Sequence, residues 1–271
     1  MLPLQQHAYE LYKIFCWLDE GHYSEFEFPS EWLNLAAGVV DVKIVPRLYD
    51  STIYWCGIAM DREKERGKLW SEFTKELTIF NFSWGAMESY IKMVCPELYD
   101  HKSKIRKNAT IESAKKYLSE NSFFIDIIEY ADTYNKLFEL MFKKMPNEIP
   151  GDFNSVSYNV KGLSLAKCVR NLFAHGARKL PDLDEVEDIR IEDIDLVLDI
   201  KMIHFATRAI LFTLQFLLIR KYSDSGILIA DPSMFDFSVP EKFEEGIPLS
   251  LMLKSLHLDY VITTENLTLD I

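Results

Sequence analysis

The chain has 271 residues, 48% of them hydrophobic and 13% aromatic, enough to fill a core and more than one small domain needs. Its net charge of −12 excludes indiscriminate coating of nucleic acid, because attraction to phosphate scales with local basic charge. Cys16, Cys56, Cys95 and Cys168 form no closely spaced pair, which argues against a thiolate zinc site and reads as reduced core thiols of a cytoplasmic protein.

The first residues lack the basic flank and long apolar stretch of a signal peptide, so none is expected. Residues 4–20 carry Leu4, Ala8, Leu11, Tyr12, Phe15 and Leu18 at helical spacing. Between residues 21 and 60, Gly21, Pro29, Gly38, Pro46 and Gly57 break short β-branched or aromatic runs. The clearest is Val39-Val40-Asp41-Val42-Lys43-Ile44-Val45, and the stretch reads as short strands or irregular structure. From 61 to 94 no proline intervenes. Leu69, Trp70, Phe73, Leu77, Phe80, Trp84, Met87, Ile91 and Val94 mark a long helix stopped by Pro96. Shorter helices are expected over 111–118, capped by Thr110, and over 123–145, where Phe124, Ile127, Ile128, Ala131, Tyr134, Leu137, Phe138, Met141 and Phe142 recur. The next helix spans 164–175 and is closed by Gly176. The last long one spans 191–222, with acids at its start and Arg220-Lys221 at its end to suit its dipole. Its most apolar run, 209–219, falls short of the roughly 20 residues a membrane span needs, so a buried core helix is expected and no membrane contact. After Ser223 the chain reads as irregular, apart from one amphipathic piece near 249–256.

The fold class is therefore mainly all-α: an antiparallel helical bundle over 63–222, preceded by an accessory segment of mixed short elements over 1–62 and followed by an irregular tail over 223–271. Charge is uneven along it. Residues 161–180 hold Lys161, Lys167, Arg170, Arg178 and Lys179 and no acid, whereas 182–199 hold nine acids and one base, Arg190. A basic island in an acidic chain suits a site that handles a phosphate locally.

Within that island stands Arg170-Asn171-Leu172-Phe173-Ala174-His175-Gly176. Histidine is suited to moving a proton near neutral pH, and arginine clamps a phosphate with a fixed fork of donors. Asn171 shares a helix face with His175, four residues on, and two roles are open to it: fixing the ring's tautomer or holding a phosphate oxygen. Arg170, five residues before His175, lies about 140° round the helix, so its side chain must curl back or meet a neighbouring subunit's site.

This segment resembles the HEPN superfamily motif, an Arg and a His separated by four to six residues with a polar residue after the Arg. It looks closest to the ApeA-like branch. Phe82-Ser83-Trp84-Gly85-Ala86-Met87-Glu88-Ser89-Tyr90 resembles the first bundle helix of such domains, which often bears an acid such as Glu88. The resemblance covers about residues 65–222. It implies a bundle of the HEPN type and a metal-independent endoribonuclease of toxin–antitoxin, abortive-infection or antiviral-defence systems. It also implies a homodimer in which two motifs face each other across the interface, supplying the second proton-transfer group that cleavage by the RNA 2′-hydroxyl requires. His175 is then the proton-transfer residue and Arg170 the phosphate clamp, with Asn171 beside them. Glu88, Lys167, Arg178 and Lys179 are auxiliary or substrate-binding residues. RNA is the substrate, an inhibitory antitoxin or trigger-sensing protein is an expected partner, and no cofactor or metal is called for.

Rival readings start from the same residues. A His at a helix C-terminus is favoured by the dipole without any catalysis, and an Arg there can pair with nearby acids. The domain would then be a non-catalytic HEPN module that dimerises and binds a nucleotide or a partner protein. A nucleotidyltransferase partner typically modifies a Tyr two residues before the His, and here that position is Phe173, which has no hydroxyl. An interaction scaffold without nucleic acid is a third reading, given the acidic balance. His7, His22, His101, His204 and His257 are scattered and receive no role, and Lys102, Lys104, Arg106 and Lys107 read as a solvated loop. Phosphate-binding loops, dinucleotide fingerprints, zinc-protease and serine-hydrolase motifs are absent.

Overall fold

The computed structural model describes residues 1–20, 26–50, 57–95, 109–120, 123–174, 179–181, 198–223, 225–229 and 246–259. Among them are eight α-helices: α1 (Leu4–Glu20), α2 (Glu27–Gly38), α3 (Gly57–Val94), α4 (Ala109–Leu118), α5 (Tyr130–Lys144), α6 (Lys161–Ala174), α7 (Leu198–Tyr222) and α8 (Leu249–Ser255). A two-residue antiparallel ladder, β1 (Leu228–Ile229) with β2 (Ile247–Pro248), sets Leu228 opposite Pro248 and Ile229 opposite Ile247.

The bundle is organised around α7. It is long and apolar enough to cross a membrane by length and composition, yet 89% of its most apolar window is buried inside the protein. Helices α3, α5, α6 and α8 pack along it, and α1 and α4 complete the wall. Phe212, Leu214, Phe216, Leu217 and Leu218 are all buried, each contributing about 1.5–3 kcal/mol of burial. Residues of α1 and α8 join the same core: Leu4, Leu11, Ile14 and Phe15 from one, Leu249, Met252 and Leu253 from the other.

A polar chain threads this core. Arg208 on α7 donates to the Leu2 carbonyl at 2.6 Å and to His7 Nδ1 at 2.9 Å. Because arginine only donates, His7 carries its proton on Nε2, which meets Gln215 Oε1 at 2.8 Å. The Gln215 amide nitrogen donates to the Leu253 carbonyl at 2.5 Å and lies 3.4 Å from His257 Nδ1, and His257 Nε2 donates to the Ile128 carbonyl at 2.9 Å. Burial, aided by the Arg208 charge, holds His7 well below the ordinary histidine range and His257 down at about 3. Burial also lowers Arg208 to about 10. Both rings are therefore neutral, and the set joins α1, α7, α8 and the segment before α5. These two histidines, given no role from the sequence, are core hydrogen-bonding groups.

Several expected boundaries move. Residues 27–38 form a helix, not short strands: Pro29 sits in its first turn, where a missing N–H costs nothing, and Leu33 and Ala36 are buried beneath it. The Val39–Val45 run forms no regular element, and no strand pairs with it among the described residues. Thr110 lies inside α4 and does not cap it. Helix α5 starts at Tyr130, not at 123. The Ile128 carbonyl is taken by His257, Glu129 adopts a left-handed φ of 70°, and Asp126 receives the Tyr158 hydroxyl at 2.6 Å. Those contacts outweigh the helical pattern, and Phe124 is left exposed. Helix α6 begins one turn early, at Lys161, and α7 is described from Leu198, the acidic residues 182–197 lying outside the described residues. The amphipathic piece near 249–256 is α8. The Lys102–Lys107 cluster and Cys56 also fall outside the described residues.

Candidate functional site

Helix α6 is anchored at its start and released at its end. Its first nine residues include the buried Gly162, Leu163, Ser164, Leu165, Ala166 and Val169. The Tyr130 hydroxyl accepts the Gly162 N–H at 2.9 Å and donates to the Tyr158 carbonyl at 3.2 Å. A Cβ on residue 162 would lie 3.0 Å from the Tyr130 ring and 3.1 Å from Ala209 Cβ, so any larger residue makes these neighbours give by a few tenths of an ångström. The second half rises out of the core. Leu172 and Phe173 are half-buried, Asn171 and Ala174 exposed. Phe173 meets the Phe73 ring edge-on at 5.6 Å between centroids. Residues 175–178, with His175 and Arg178, lie outside the described residues; on their far side, the buried Pro181 accepts the Trp70 indole N–H at 3.0 Å.

Arg170 leaves α6 one turn before its end and reaches α3. Its Cζ lies 4.9 Å from the centre of the Trp84 ring, and one guanidinium nitrogen lies 4.0 Å from Glu88 Oε1. The arginine side chain is 37% exposed and the glutamate 30%. At 4.0 Å the ion pair is at the outer edge of direct contact, and such half-exposed pairs are worth about 0–1 kcal/mol. The ring contact is of similar size, about 0.5–1 kcal/mol or somewhat more. Trp84 itself is core, and its indole N–H has no hydrogen-bond partner among the described residues. The guanidinium is thus positioned by a flat rigid surface and a loosely held carboxylate, with donors left facing solvent. That is an arrangement able to accept a phosphate.

The structure brings together two of the residues singled out from the sequence, Arg170 and Glu88. It does not bring Lys167 to them. Lys167 binds Glu112 on α4 at 2.8 Å. Burial alone would raise the Glu112 carboxyl, but the hydrogen bond and charge of Lys167, helped by Lys115, bring it below the usual carboxylate value. Lys167 therefore ties α6 to α4. Lys179 is exposed. Sequence reasoning passed over two groups that border this face. Trp84 was read as core alone, and an Arg on a neighbouring helix gave no clue that it would lie on the ring. His204 on α7 received no role, yet it is half-exposed with Nδ1 3.3 Å from Glu76 Oε2 of α3, one turn from Phe73. A carboxylate beside an imidazole fixes the ring's orientation, and only the packing of α3 on α7 reveals it.

A cleft of about 740 Å³ lies elsewhere, between residues 41–48 and the first half of α3, from Met60 to Glu72. None of the residues lining it belongs to α6. In comparisons with family models, characterised proteins and solved structures, the chain matches none of them.

Proposed function

We propose that this chain is a metal-independent endoribonuclease of the HEPN type, active as a homodimer in toxin or antiviral-defence chemistry. Arg170 clamps the scissile phosphate. His175 moves the proton at the 2′-hydroxyl or the departing 5′-oxygen, its twofold copy serves the other, and Asn171 orients one of them. The observation carrying this reading is the state of Arg170: a half-exposed guanidinium lying on an indole, near one distant carboxylate, within the basic motif. An arginine kept only for stability is expected to have its donors engaged at short range, as Arg208 has with the Leu2 carbonyl at 2.6 Å and His7 Nδ1 at 2.9 Å. Glu88 holds the clamp in place before RNA arrives and yields it to the phosphate. The basic stretch around the motif draws RNA to an otherwise acidic protein, and an inhibitory or trigger-sensing partner restrains it.

One observation favours a second reading, a non-catalytic module that dimerises and binds a nucleotide or a protein. Glu88 and Glu112 neutralise two of the four described basic residues of 161–180, Arg170 and Lys167. Purified protein incubated with total RNA and excess chelator separates the two. The nuclease reading expects fragments ending in a 2′,3′-cyclic phosphate, lost in Arg170→Ala and in His175→Ala while both variants stay folded. Wild-type protein that binds RNA or nucleotide in the same assay and leaves it uncut supports the module instead.

A further inference from the structure

The run Val39-Val40-Asp41-Val42-Lys43-Ile44-Val45 has the strand-forming composition of a central β-strand; from Asp41 to Val45 it alternates exposed and half-buried beside the first half of α3, the period of an extended chain. Val39 leaves α2 in an extended conformation, its carbonyl accepting Gln5 Nε2 at 3.3 Å. The Ile44 N–H donates to Ser71 Oγ at 2.9 Å, and its carbonyl lies against Gly67, where a Cβ would come within 2.9 Å of it. In an extended chain the N–H and C=O of one residue point to the same edge, and alternate residues share that edge. Ile44 spends its groups on α3, so Asp41, Lys43 and Val45 present theirs on the opposite edge. Among the described residues these backbone groups make no hydrogen bond. Around them Val40 is 80% and Tyr49 97% exposed, with Val45 and Leu48 exposed beside them. Such an edge is a template for another strand.

The order of residues selects the strand. Read antiparallel against itself about Val42, the run is its own complement. Asp41 falls opposite the second copy's Lys43, Lys43 opposite its Asp41, Val40 opposite its Ile44, and Val42 opposite its own counterpart. With the edge that is unpaired among the described residues on the odd positions, the two Asp–Lys pairs are the hydrogen-bonded pairs and the Val42 pair is the non-bonded one on the twofold axis. We propose that residues 39–45 form an antiparallel strand pair with the same residues of a second copy, centred on Val42. The chain's own residues 260–271 are one rival, since Leu2 N donates to the His257 carbonyl close to where Gln5 meets Val39. They hold Glu265 and Asp270 and no base, so they cannot match both Asp41 and Lys43. The interface lies about 25 Å along α3 from Glu88, and it stands whether or not RNA is cut at Arg170.

Sedimentation velocity of full-length protein across a concentration series tests it. Asp41→Lys and Lys43→Asp each place like charges opposite one another twice, and each weakens the association step by more than about tenfold. Mixed in equal amounts the two variants are complementary again, and the mixture, like the double variant Asp41→Lys/Lys43→Asp, associates as wild type does. Single variants that associate like wild type, or a mixture that stays apart, overturn the proposal. So does a wild type that never associates; hydrogen-exchange protection at 41–45 in that case assigns the edge to the chain's own tail.

Discussion

Two regions of this molecule pair arginine with histidine and use them in opposite ways. In the core, Arg208 and His7 are sealed, every ring nitrogen of His7 and His257 is engaged, and the tautomers are fixed by their partners. At the end of α6, Arg170 keeps its charge half in solvent, leaning on a ring and on one carboxylate at 4.0 Å. A closed set of polar groups contributes a unique geometry and leaves nothing free to act on a ligand. An open one contributes little to stability and keeps its donors for something else. Residue type does not separate these cases; partners and burial do.

The largest effect that sharpens this contrast is Arg208→Ala. It strips the donors from the Leu2 carbonyl and His7 Nδ1 inside the core, and urea unfolding should show a loss of about 3 kcal/mol. Acid acts on the same groups. His7 and His257 have folded pKa values below the unfolded one, so below pH about 6.5 the unfolded chain binds protons that the folded chain refuses, and stability rises with pH over this range. Each ring adds up to about 1.4 kcal/mol per pH unit, down to pH about 3 for His257. The slope of stability between pH 6 and 4.5 should therefore be shallower in His257→Asn than in wild type. An unchanged slope would show that His257 titrates in the fold.

Smaller effects belong to α6. Gly162→Ala forces a methyl against the buried Tyr130 ring and Ala209; the overpacking is partly offset by the better helix propensity of alanine, and a net loss of about 1 kcal/mol in thermal or urea unfolding is expected. Arg170→Ala should cost no more than about 2 kcal/mol while eliminating chelator-resistant RNA cleavage. A loss as large as that of Arg208→Ala would place Arg170 with the structural arginines. Smallest of all is Glu88→Gln. It frees the guanidinium, leaves unfolding within about 0.5 kcal/mol of wild type, and should tighten binding of an uncleavable 2′-O-methyl RNA about threefold. Weaker binding would make the carboxylate a direct ligand contact.

Much of the helical layout was legible because burial has a period. The α3 stripe from Leu69 to Val94 and the apolar run of α7 identify themselves by spacing alone, and both helices are where that spacing puts them. What failed were places where a distant group claimed a local one. No pattern in residues 123–130 announces that His257 will take the Ile128 carbonyl and delay α5. Pro29 looked like a break because its position within a helix, first turn or interior, is not written in the residue itself. At the candidate site, the motif was visible as a string of residue types and Glu88 as an acid on a helix. That Arg170 lies on Trp84, and that Lys167 turns to Glu112, follows from how α3, α4 and α6 are set around α7. His175 and Arg178 lie outside the described residues, so their part in the site rests on the sequence motif.

The polar chain also orders events in time. Arg208, Gln215 and His257 complete contacts begun by Leu2 and His7, so α1 emerges from the ribosome some 200 residues before its partners exist. Until residues 198–257 have been made, the first helix can pack on α2 and Phe15 can meet Phe26 and Tyr90, but the Leu2 carbonyl and His7 lack their partners, and closing so long a loop delays the final fold. Interrupted synthesis therefore yields chains in which the polar groups of Leu2 and His7 are unsatisfied, and the segment that holds them is closed only in a product translated past His257.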